Sequence, residues 1–266
     1  MSEAAYSIGI VGGNGMLGSA IASALLKQGA VPPDRLWISS RSGTVPDAIA
    51  DAGVRTTRSN QDLADACDLV LLSVPPAQCD GMTVDAADRL VVSVMAGVSI
   101  ERLKGLTGAR RVVRAMSSPA AALSLAYSPW VATPEVDTRD REQVRRMFEA
   151  CGLTDEVTDE GQIECFTAMT GPVPGFVAFF ADCMAKYARD HGVAAPVADR
   201  AVRQLFLSAG RMLAEGPMTP ADHVRQMIDY AGTTAAGLNA MLEASIVEDI
   251  AKGLDASVAR TREIGR

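Results

Sequence analysis

The feature that most constrains this sequence is a cluster of glycines that begins at residue 12. An apolar run at residues 6–11 leads into Gly-Gly-Asn-Gly-Met-Leu-Gly, and an amphipathic stretch then continues to about residue 28. A strand that turns tightly through glycines into a helix presents backbone N–H groups to a pyrophosphate. We therefore predict a dinucleotide site that includes Gly13, Asn14, Gly15, Met16 and Leu17. The alternative is a glycine-rich turn with a structural role only.

Short apolar runs recur through the first 158 residues and alternate with amphipathic stretches. After the first run they lie at residues 35–40, 54–57, 68–74, 90–95 and 111–116. Strands that alternate with helices form βαβ units and a mainly parallel sheet with right-handed crossovers. The sequence therefore predicts an α/β fold in which residues 1–158 form a doubly wound Rossmann domain.

From about residue 159 the hydrophobic pattern becomes helical. Small and apolar residues recur at helical spacing, with glycines and prolines between the segments, at residues 163–191, 197–215 and 219–227 and from residue 234 onward. About four helices with so many apolar faces predict burial against a second subunit. We interpret residues 159–266 as an all-α dimerisation and substrate domain, with a self-contained helical bundle as the alternative.

Composition excludes several kinds of partner. The chain is 48% hydrophobic, 5% aromatic and 21% charged, with a net charge of -7. A core can therefore form, whereas a nucleic-acid or anionic-membrane surface is disfavoured. Its five scattered cysteines include no C-x-x-C pair, which predicts no metal site or disulfide framework and favours a cytoplasmic location. Because residues 1–6 have no basic segment and no apolar run could span a bilayer, we expect no signal peptide and no membrane association.

The end of the second predicted strand indicates which dinucleotide binds. A site for NAD usually has a carboxylate about 20 residues beyond the glycines, where it holds the ribose 2′-OH. Here the strand ends in Ser39, Ser40 and Arg41. Hydroxyl groups and a guanidinium suit a 2′-phosphate, so we predict NADP(H) as the cofactor. The alternative is that these residues form a solvated loop.

Two further loops follow predicted parallel strands. Val74 and Pro75 end the fourth strand, and Ala96 and Gly97 end the fifth. Because the carboxyl ends of parallel strands form the ligand crevice, we expect these four residues to border the nicotinamide half of the cofactor. Each loop could equally be an ordinary turn between a strand and a helix.

Four segments along the chain carry more specific motifs. Residues 227–238 read M-I-D-Y-A-G-T-T-A-A-G-L, residues 91–100 read V-V-S-V-M-A-G-V-S-I, and residues 111–116 read R-V-V-R-A-M. These strings resemble the V-T-S-P-G-G-T-T-x-x-G-L, L-V-I-S-x-x-A-G-V-S-I and R-V-V-R-x-M motifs of pyrroline-5-carboxylate reductases. Residues 170–176 stand where that family has S-G-S-G-P-A-Y. The doubled glycine at residues 12–13 looks more like prephenate dehydrogenases and deazaflavin-dependent reductases.

The family resemblance implies a reaction and an assembly. It implies hydride transfer from NAD(P)H to the C5 imine carbon of 1-pyrroline-5-carboxylate, an imino acid, to give L-proline. It also implies a helical domain that interlocks with its twin in a homodimer, which in some members assembles further. Thr234 aligns with the family threonine whose hydroxyl lies near the ring nitrogen, so it is the predicted catalytic residue. Gly232 and Thr233 precede a helical stretch, where backbone N–H groups could hold the substrate carboxylate. Simple N-capping would also explain both threonines.

The chain departs from the family pattern at its predicted substrate site. Pro75 stands where the family has a lysine, and Ser117 and Ser118 replace the asparagine of a loop that is one residue shorter here. Asp229 opens the segment that corresponds to S-P-G-G, and a carboxylate there would repel an anionic substrate unless it is paired or points away. We include Ser117, Ser118 and Asp229 among the predicted substrate-binding residues.

Two alternative functions follow from these departures. One is a reductase or dehydrogenase of a different imine or ketone on the same scaffold, and the other is a non-catalytic NADP(H)-binding regulator. An alcohol oxidation like that of prephenate dehydrogenases is disfavoured, because no histidine precedes His191 to act as a base.

Overall fold

The structure is a computed structural model that describes residues 6–82 and 84–265. The expectation about a signal peptide concerns residues 1–6, of which the first five lie outside the described residues. Within the described ranges, no helix combines the length and the apolar character that crossing a membrane requires. The described strands are β1 (Ile8–Val11), β2 (Leu36–Ser39), β3 (Arg55–Thr57), β4 (Leu69–Leu72), β5 (Leu90–Ser93), β6 (Val112–Ala115), β7 (Ala126–Tyr127), β8 (Trp130–Ala132) and β9 (Gly152–Leu153).

A seven-stranded sheet has the order β3-β2-β1-β4-β5-β6-β8. The first six strands are parallel, and β8 pairs antiparallel with β6 at one edge. All six predicted strands are present, each slightly shorter than its apolar run. The small parallel pair β7–β9 and the edge strand β8 were not predicted. The strand order reverses at β1, because β2 and β3 are added on one side of it and β4 and the strands that follow are added on the other.

Both faces of the sheet are covered, as a doubly wound fold requires. The four residues of β4 are all buried and alternate between two cores. Leu69 and Leu71 pack with the apolar side of α1 (Met16–Lys27). Val70 and Leu72 pack with Leu63 of α2 (Asn60–Ala66) and Leu103 of α3 (Ile100–Thr107). The predicted α/β fold with a Rossmann domain is confirmed.

The remaining helices correct one prediction. Helix was expected without a break through residues 163–191, but the chain forms two helices there, because Pro172 and Pro174 have no backbone N–H to continue the helical hydrogen bonding. Beyond the Rossmann strands the described helices are α4 (Thr138–Glu149), α5 (Glu160–Met169), α6 (Gly175–Asp190), α7 (Ala195–Glu215), α8 (Pro220–Asp229), α9 (Thr233–Leu242) and α10 (Ile246–Ile264).

The chain divides into two compact units. One unit contains the described residues up to Val173 together with those from Leu254 onward, and the other is Pro174–Gly253. The first unit therefore includes α5 and the second half of α10 in addition to the Rossmann strands. The domain boundary between residues 158 and 159 stays a prediction.

The end of α10 crosses a loop of the sheet at very short range. A Cβ atom built on Gly97 would lie 2.3 Å from the carbonyl oxygen of Thr261, and one built on Gly265 would lie 1.8 Å from the carbonyl oxygen of Gly97. Arg102 donates to the carbonyl oxygen of Gly265, and Arg262 pairs with Glu164 of α5 at 2.5 Å. Two glycine backbones therefore meet where the loop after β5 passes the last turn of α10.

Candidate active site

The glycine cluster forms the turn between β1 and α1. Gly12 has a φ of +79°, and a Cβ there would lie 2.6 Å from the carbonyl oxygen of Ser73, so glycine is required. Gly15 is the N-cap residue of α1 and, as a glycine, has no side chain that could accept from the first N–H groups of the helix. The first turn contains no acidic residue. Because the first N–H groups of a helix have no partner within it, the start of α1 is suited to an anion.

A cavity of about 830 Å³ lies at the carboxyl ends of the first strands, beside this turn. Its size and position fit the predicted dinucleotide cofactor. None of the described residues that line it is acidic, although the chain carries a net charge of -7. The lining consists of Val11, Gly12, Asn14, Gly15, Ser39, Ser40, Arg41, Ser42, Arg58, Asn60, Ser73, Val74, Pro75, Ala77, Gln78, Gly81 and Met82.

Seven of the twelve predicted cofactor residues line this cavity: Asn14, Gly15, Ser39, Ser40, Arg41, Val74 and Pro75. The other five lie elsewhere. Gly13 is buried against Ile38, Leu17 packs against the core, and Met16 is exposed at the start of α1. Ala96 and Gly97 are half-buried in the loop that the end of α10 crosses, outside the described lining.

Hydroxyl groups shape the turn that follows β2. The Ser42 Oγ lies 3.2 Å from the Ser40 Oγ and 2.7 Å from the Thr44 Oγ1, and Asn14 donates to Thr44 at 2.9 Å. The Ser39 hydroxyl is buried and donates to Asn60 at 2.8 Å. The hydroxyls of Ser39 and Ser40 therefore stabilise the turn, and both residues line the cavity together with Arg41.

The sequence interpretation missed Arg58 and Asn60. Both follow β3, the strand with the weakest apolar signal, and both line the cavity. The parallel pairing of β3 with β2 brings the two carboxyl ends side by side. The predicted parallel sheet could have indicated both residues, because the carboxyl end of a third parallel strand borders the same crevice.

Cys79 is close in sequence to Gln78 and Gly81, which line the cavity, but it is not among the described lining residues. The residue is fully buried, and burial raises the pKa of its thiol above the usual range. A thiol that stays protonated near neutral pH is a poor nucleophile. The cavity therefore offers phosphate-binding groups and apolar surface, without an activated cysteine among the described residues. Nor do those residues contain a cluster of three or more His, Cys, Asp or Glu that could hold a metal ion.

Ser117 and Ser118, two of the predicted substrate residues, lie in the interior of the first unit. Both are almost completely buried, and the Ser117 Oγ is 2.9 Å from the Ser128 Oγ. Ser118 begins the short 3-10 turn Pro119–Leu123 without a capping hydrogen bond from its side chain. Their hydroxyls thus face protein atoms rather than an open surface.

The other predicted substrate residues belong to the second unit. The N-cap residue of α9 is Gly232, which has no side chain to act as a cap. Thr233 and Thr234 are the first two residues of that helix, and both are exposed. N-capping by the threonines therefore does not explain them. Asp229, the last residue of α8, is exposed and has no ion-pair partner in the described part of the chain. Ala231 between them has a φ of +58°.

Known proteins show what the chain is related to. Residues 160–264 match the family model described as pyrroline-5-carboxylate reductase dimerisation, and residues 7–97 match the one described as NADP oxidoreductase, coenzyme F420-dependent. A pyrroline-5-carboxylate reductase of Vibrio alginolyticus is 30% identical over 221 residues, which cover 80% of this chain and 81% of that protein. The chain belongs to the pyrroline-5-carboxylate reductase family.

Two further family members match the chain over almost its whole length. The enzyme of Pasteurella multocida is 28% identical over 271 residues, covering 98% of each chain. A solved pyrroline-5-carboxylate reductase of Coxiella burnetii has a TM-score of 0.84 at 26% identity and covers 98% of this chain and 99% of its own. The predicted family is confirmed, with a Rossmann domain followed by the family's helical dimerisation domain. The second family model agrees with the likeness of the doubled glycine to deazaflavin-dependent reductases.

Proposed function

We propose that this protein is an NADPH-dependent reductase that converts 1-pyrroline-5-carboxylate to L-proline. The observation that carries the proposal is a dinucleotide-sized cavity, lined by arginines and hydroxyls and by no described carboxylate, in a member of the pyrroline-5-carboxylate reductase family. The family match and the predicted imino-acid substrate agree with an oxidoreductase that acts on C=N bonds.

The chain's own groups would hold the cofactor along the cavity. The N–H groups at the start of α1 would bind the pyrophosphate, and Ser40 and Arg41 would bind the 2′-phosphate. Val74 and Pro75, together with Ala96 and Gly97, would border the nicotinamide half. When bound, NADPH supplies the hydride, so the protein has to orient the substrate and exclude water.

The substrate carboxylate would be held at the start of α9. The N–H groups of Thr233 and Thr234 have no partner within the helix, and the helix dipole favours an anion there. The Thr234 hydroxyl would donate a hydrogen bond to the ring nitrogen as the imine becomes an amine. An iminium carbon accepts hydride readily once it is oriented, which is consistent with a site that offers few acid–base groups.

We also propose that the protein acts as a homodimer through its helical domain. The family model over residues 160–264 is that of a dimerisation domain. Large apolar side chains are exposed on the second unit, among them Phe179 at 65%, Tyr187 at 66% and Met212 at 64%. Exposed apolar surface of this extent is typical of a subunit interface. Assembly beyond a dimer and the cytoplasmic location stay predictions.

Steady-state kinetics test the reaction. With 1-pyrroline-5-carboxylate, the absorbance of NADPH should fall and proline should accumulate in equal amounts. If NADPH binds tightly but no cyclic imine is reduced, the protein is a binding regulator and the proposal is wrong.

The exposed carboxylate of Asp229 favours a second candidate, a reductase of a different imine. An unpaired negative charge beside the start of α9 weakens binding of an anion and favours a less anionic or amine-bearing imine. Asp229→Ser should lower the KM for 1-pyrroline-5-carboxylate if Asp229 limits this substrate. A lower KM for 1-pyrroline-5-carboxylate in the variant, together with better turnover of a neutral cyclic imine by the unaltered enzyme, supports the second candidate. An unchanged KM shows that Asp229 does not limit this substrate and contradicts the argument for that candidate.

The cofactor assignment has its own test at Arg41. Removing a guanidinium that binds the 2′-phosphate costs binding energy only when that phosphate is present. In the Arg41→Ala variant the KM for NADPH should rise about tenfold, while the KM for NADH changes by less than about twofold. Equal changes for both cofactors would exclude Arg41 from the 2′-phosphate site.

A further inference from the structure

We infer that Arg58 is a second ligand of the cofactor 2′-phosphate and that it determines the preference for NADPH. This inference rests on the proposed use of NADP(H). Arg58 and Arg41 line the same cavity, although they come from different strand ends. Within the described residues, neither guanidinium forms an ion pair with a carboxylate. Their positive charge is therefore available to a ligand.

Backbone contacts aim the Arg58 side chain at the turn that contains Arg41. The Arg58 Nε donates to the carbonyl oxygen of Ser42 at 3.2 Å. A Cβ built on Gly43 would lie 3.0 Å from the Arg58 Cγ and 3.1 Å from its Nε. Gly43 has a φ of +71° and thus leaves a bare backbone surface on which the arginine stem lies. The side chain is held across the turn at residues 40–44.

The remaining donors of Arg58 suit a phosphate. The hydrogen bond to Ser42 uses Nε, which leaves the N–H groups of both Nη atoms for a ligand. A 2′-phosphate is a dianion or nearly so at neutral pH, and two guanidinium groups match its charge better than one. With no acidic residue in the described lining, nothing in the cavity competes for these donors.

A purely structural role is the competing explanation, because the Nε bond alone could brace the turn. The two roles differ in what they do to binding. Loss of a brace disturbs every ligand that uses the turn, whereas loss of a phosphate ligand weakens only those that carry a 2′-phosphate.

Equilibrium binding separates these roles without measuring turnover. Calorimetric titrations with NADPH, NADH and 2′,5′-ADP would compare the unaltered protein with Arg58→Ala and Arg55→Ala. Arg55 is the matched control, because it lies in β3, the strand that Arg58 follows, is exposed, and stacks over Trp37 at 5.4 Å rather than lining the cavity. For Arg58→Ala we expect NADPH and 2′,5′-ADP to bind about tenfold more weakly and NADH to change by less than about twofold. Arg55→Ala should leave all three ligands within about twofold.

The same titrations distinguish failure of the inference from failure of the proposed function. If Arg58→Ala weakens NADPH and NADH equally, or weakens neither, Arg58 does not bind the 2′-phosphate. If the unaltered protein binds NADH as tightly as NADPH, the NADP(H) assignment itself fails. A clear preference for NADPH that depends on Arg58 but comes without turnover of 1-pyrroline-5-carboxylate upholds the inference and rejects the proposed substrate.

Discussion

Ala231 carries a left-handed backbone in the loop before α9. Its φ of +58° costs a residue with a Cβ about 1–2 kcal/mol, and the family signature has glycine at this position. We predict that Ala231→Gly stabilises the protein by about 0.5–1 kcal/mol, since the greater freedom of glycine in the unfolded chain offsets part of the gain. Thermal unfolding should show a higher Tm.

Ala236→Gly is the matched control for this prediction. Ala236 lies in the first half of α9 and is exposed, so glycine there should lower the free energy of unfolding by about 1 kcal/mol. If both glycine variants lower the Tm, the backbone at Ala231 is not strained.

Tyr6 should make the stability of the protein depend on alkaline pH. Its hydroxyl donates to the buried Asp140 at 2.8 Å, and burial, together with that carboxylate, raises the pKa of Tyr6 from 10.0 to about 12. A raised pKa in the folded state means that the stabilisation is complete below pH 10 and is lost as the pH rises toward 12.

Chemical denaturation of Tyr6→Phe between pH 9 and 12 checks this expectation. The free energy of unfolding of the unaltered protein should fall toward that of the variant across this range. The buried thiols of Cys67 and Cys151 also have pKa values raised to about 12, but they are common to both proteins. A constant difference at all pH values would show that Tyr6 does not titrate there.

At the scale of elements, Glu160 joins three of them. Its Oε1 accepts from the backbone N–H of Ile100 at 2.8 Å and from the Arg114 Nη1 at 2.7 Å. Arg114 is buried, with 3% of its surface exposed. Among the described residues, the Nε and Nη2 of Arg114 have no hydrogen-bond partner. Glu160→Gln should therefore destabilise the protein by about 2 kcal/mol, less than for a fully buried pair because Glu160 is partly exposed.

Glu164→Gln on the same helix provides the comparison. Its partner Arg262 is 61% exposed, so the pair is screened by water and should contribute less than about 1 kcal/mol. Urea denaturation of the two variants would measure both effects. Equal losses of stability would mean that burial of Arg114 does not strengthen the Glu160 pair.

The sequence predicts the central elements well because their signals are local. The sequence of β4 is apolar at every position, so that both faces of the strand are apolar, and a short run of this kind indicates a buried strand. The edge strand β8 lies beside Pro129 and contains three residues, so its pairing with β6, which is distant in sequence, defines it. For the same reason Arg58 was missed, because its place in the cavity depends on how β3 pairs with β2.

The substrate half of the site is less accessible to sequence reasoning. The motif alignment places Ser117 and Ser118 in a substrate loop. Whether the Ser117 hydroxyl faces a ligand or Ser128 depends on how residues that are separate in the sequence pack together. Thr234 lies at the start of a helix as the motif predicts, and its catalytic role stays a prediction.

At the scale of the whole molecule, exposed apolar surface on the helical unit predicts a dimer that a single charge can weaken. Phe179 is 65% exposed within the second unit. If it is buried between subunits, Phe179→Glu leaves an unpaired charge in an apolar interface, and sedimentation should show monomers. Leu153→Glu is the control, because Leu153 is 74% exposed but lies in β9, outside the dimerisation match. Dimers of both variants would exclude Phe179 from the interface.

The crossing of Gly97 and Gly265 limits how freely parts of this protein can be exchanged with those of its relatives. The first unit takes residues from both halves of the sequence, and at the crossing neither backbone has room for a Cβ atom. A chimaera that joined the Rossmann segment to the helical segment of another reductase would need glycine at the position of Gly265. With any other residue there, the loop after β5 would have to move. The two halves are therefore not independent modules, and this pair of glycines would have to be inherited together.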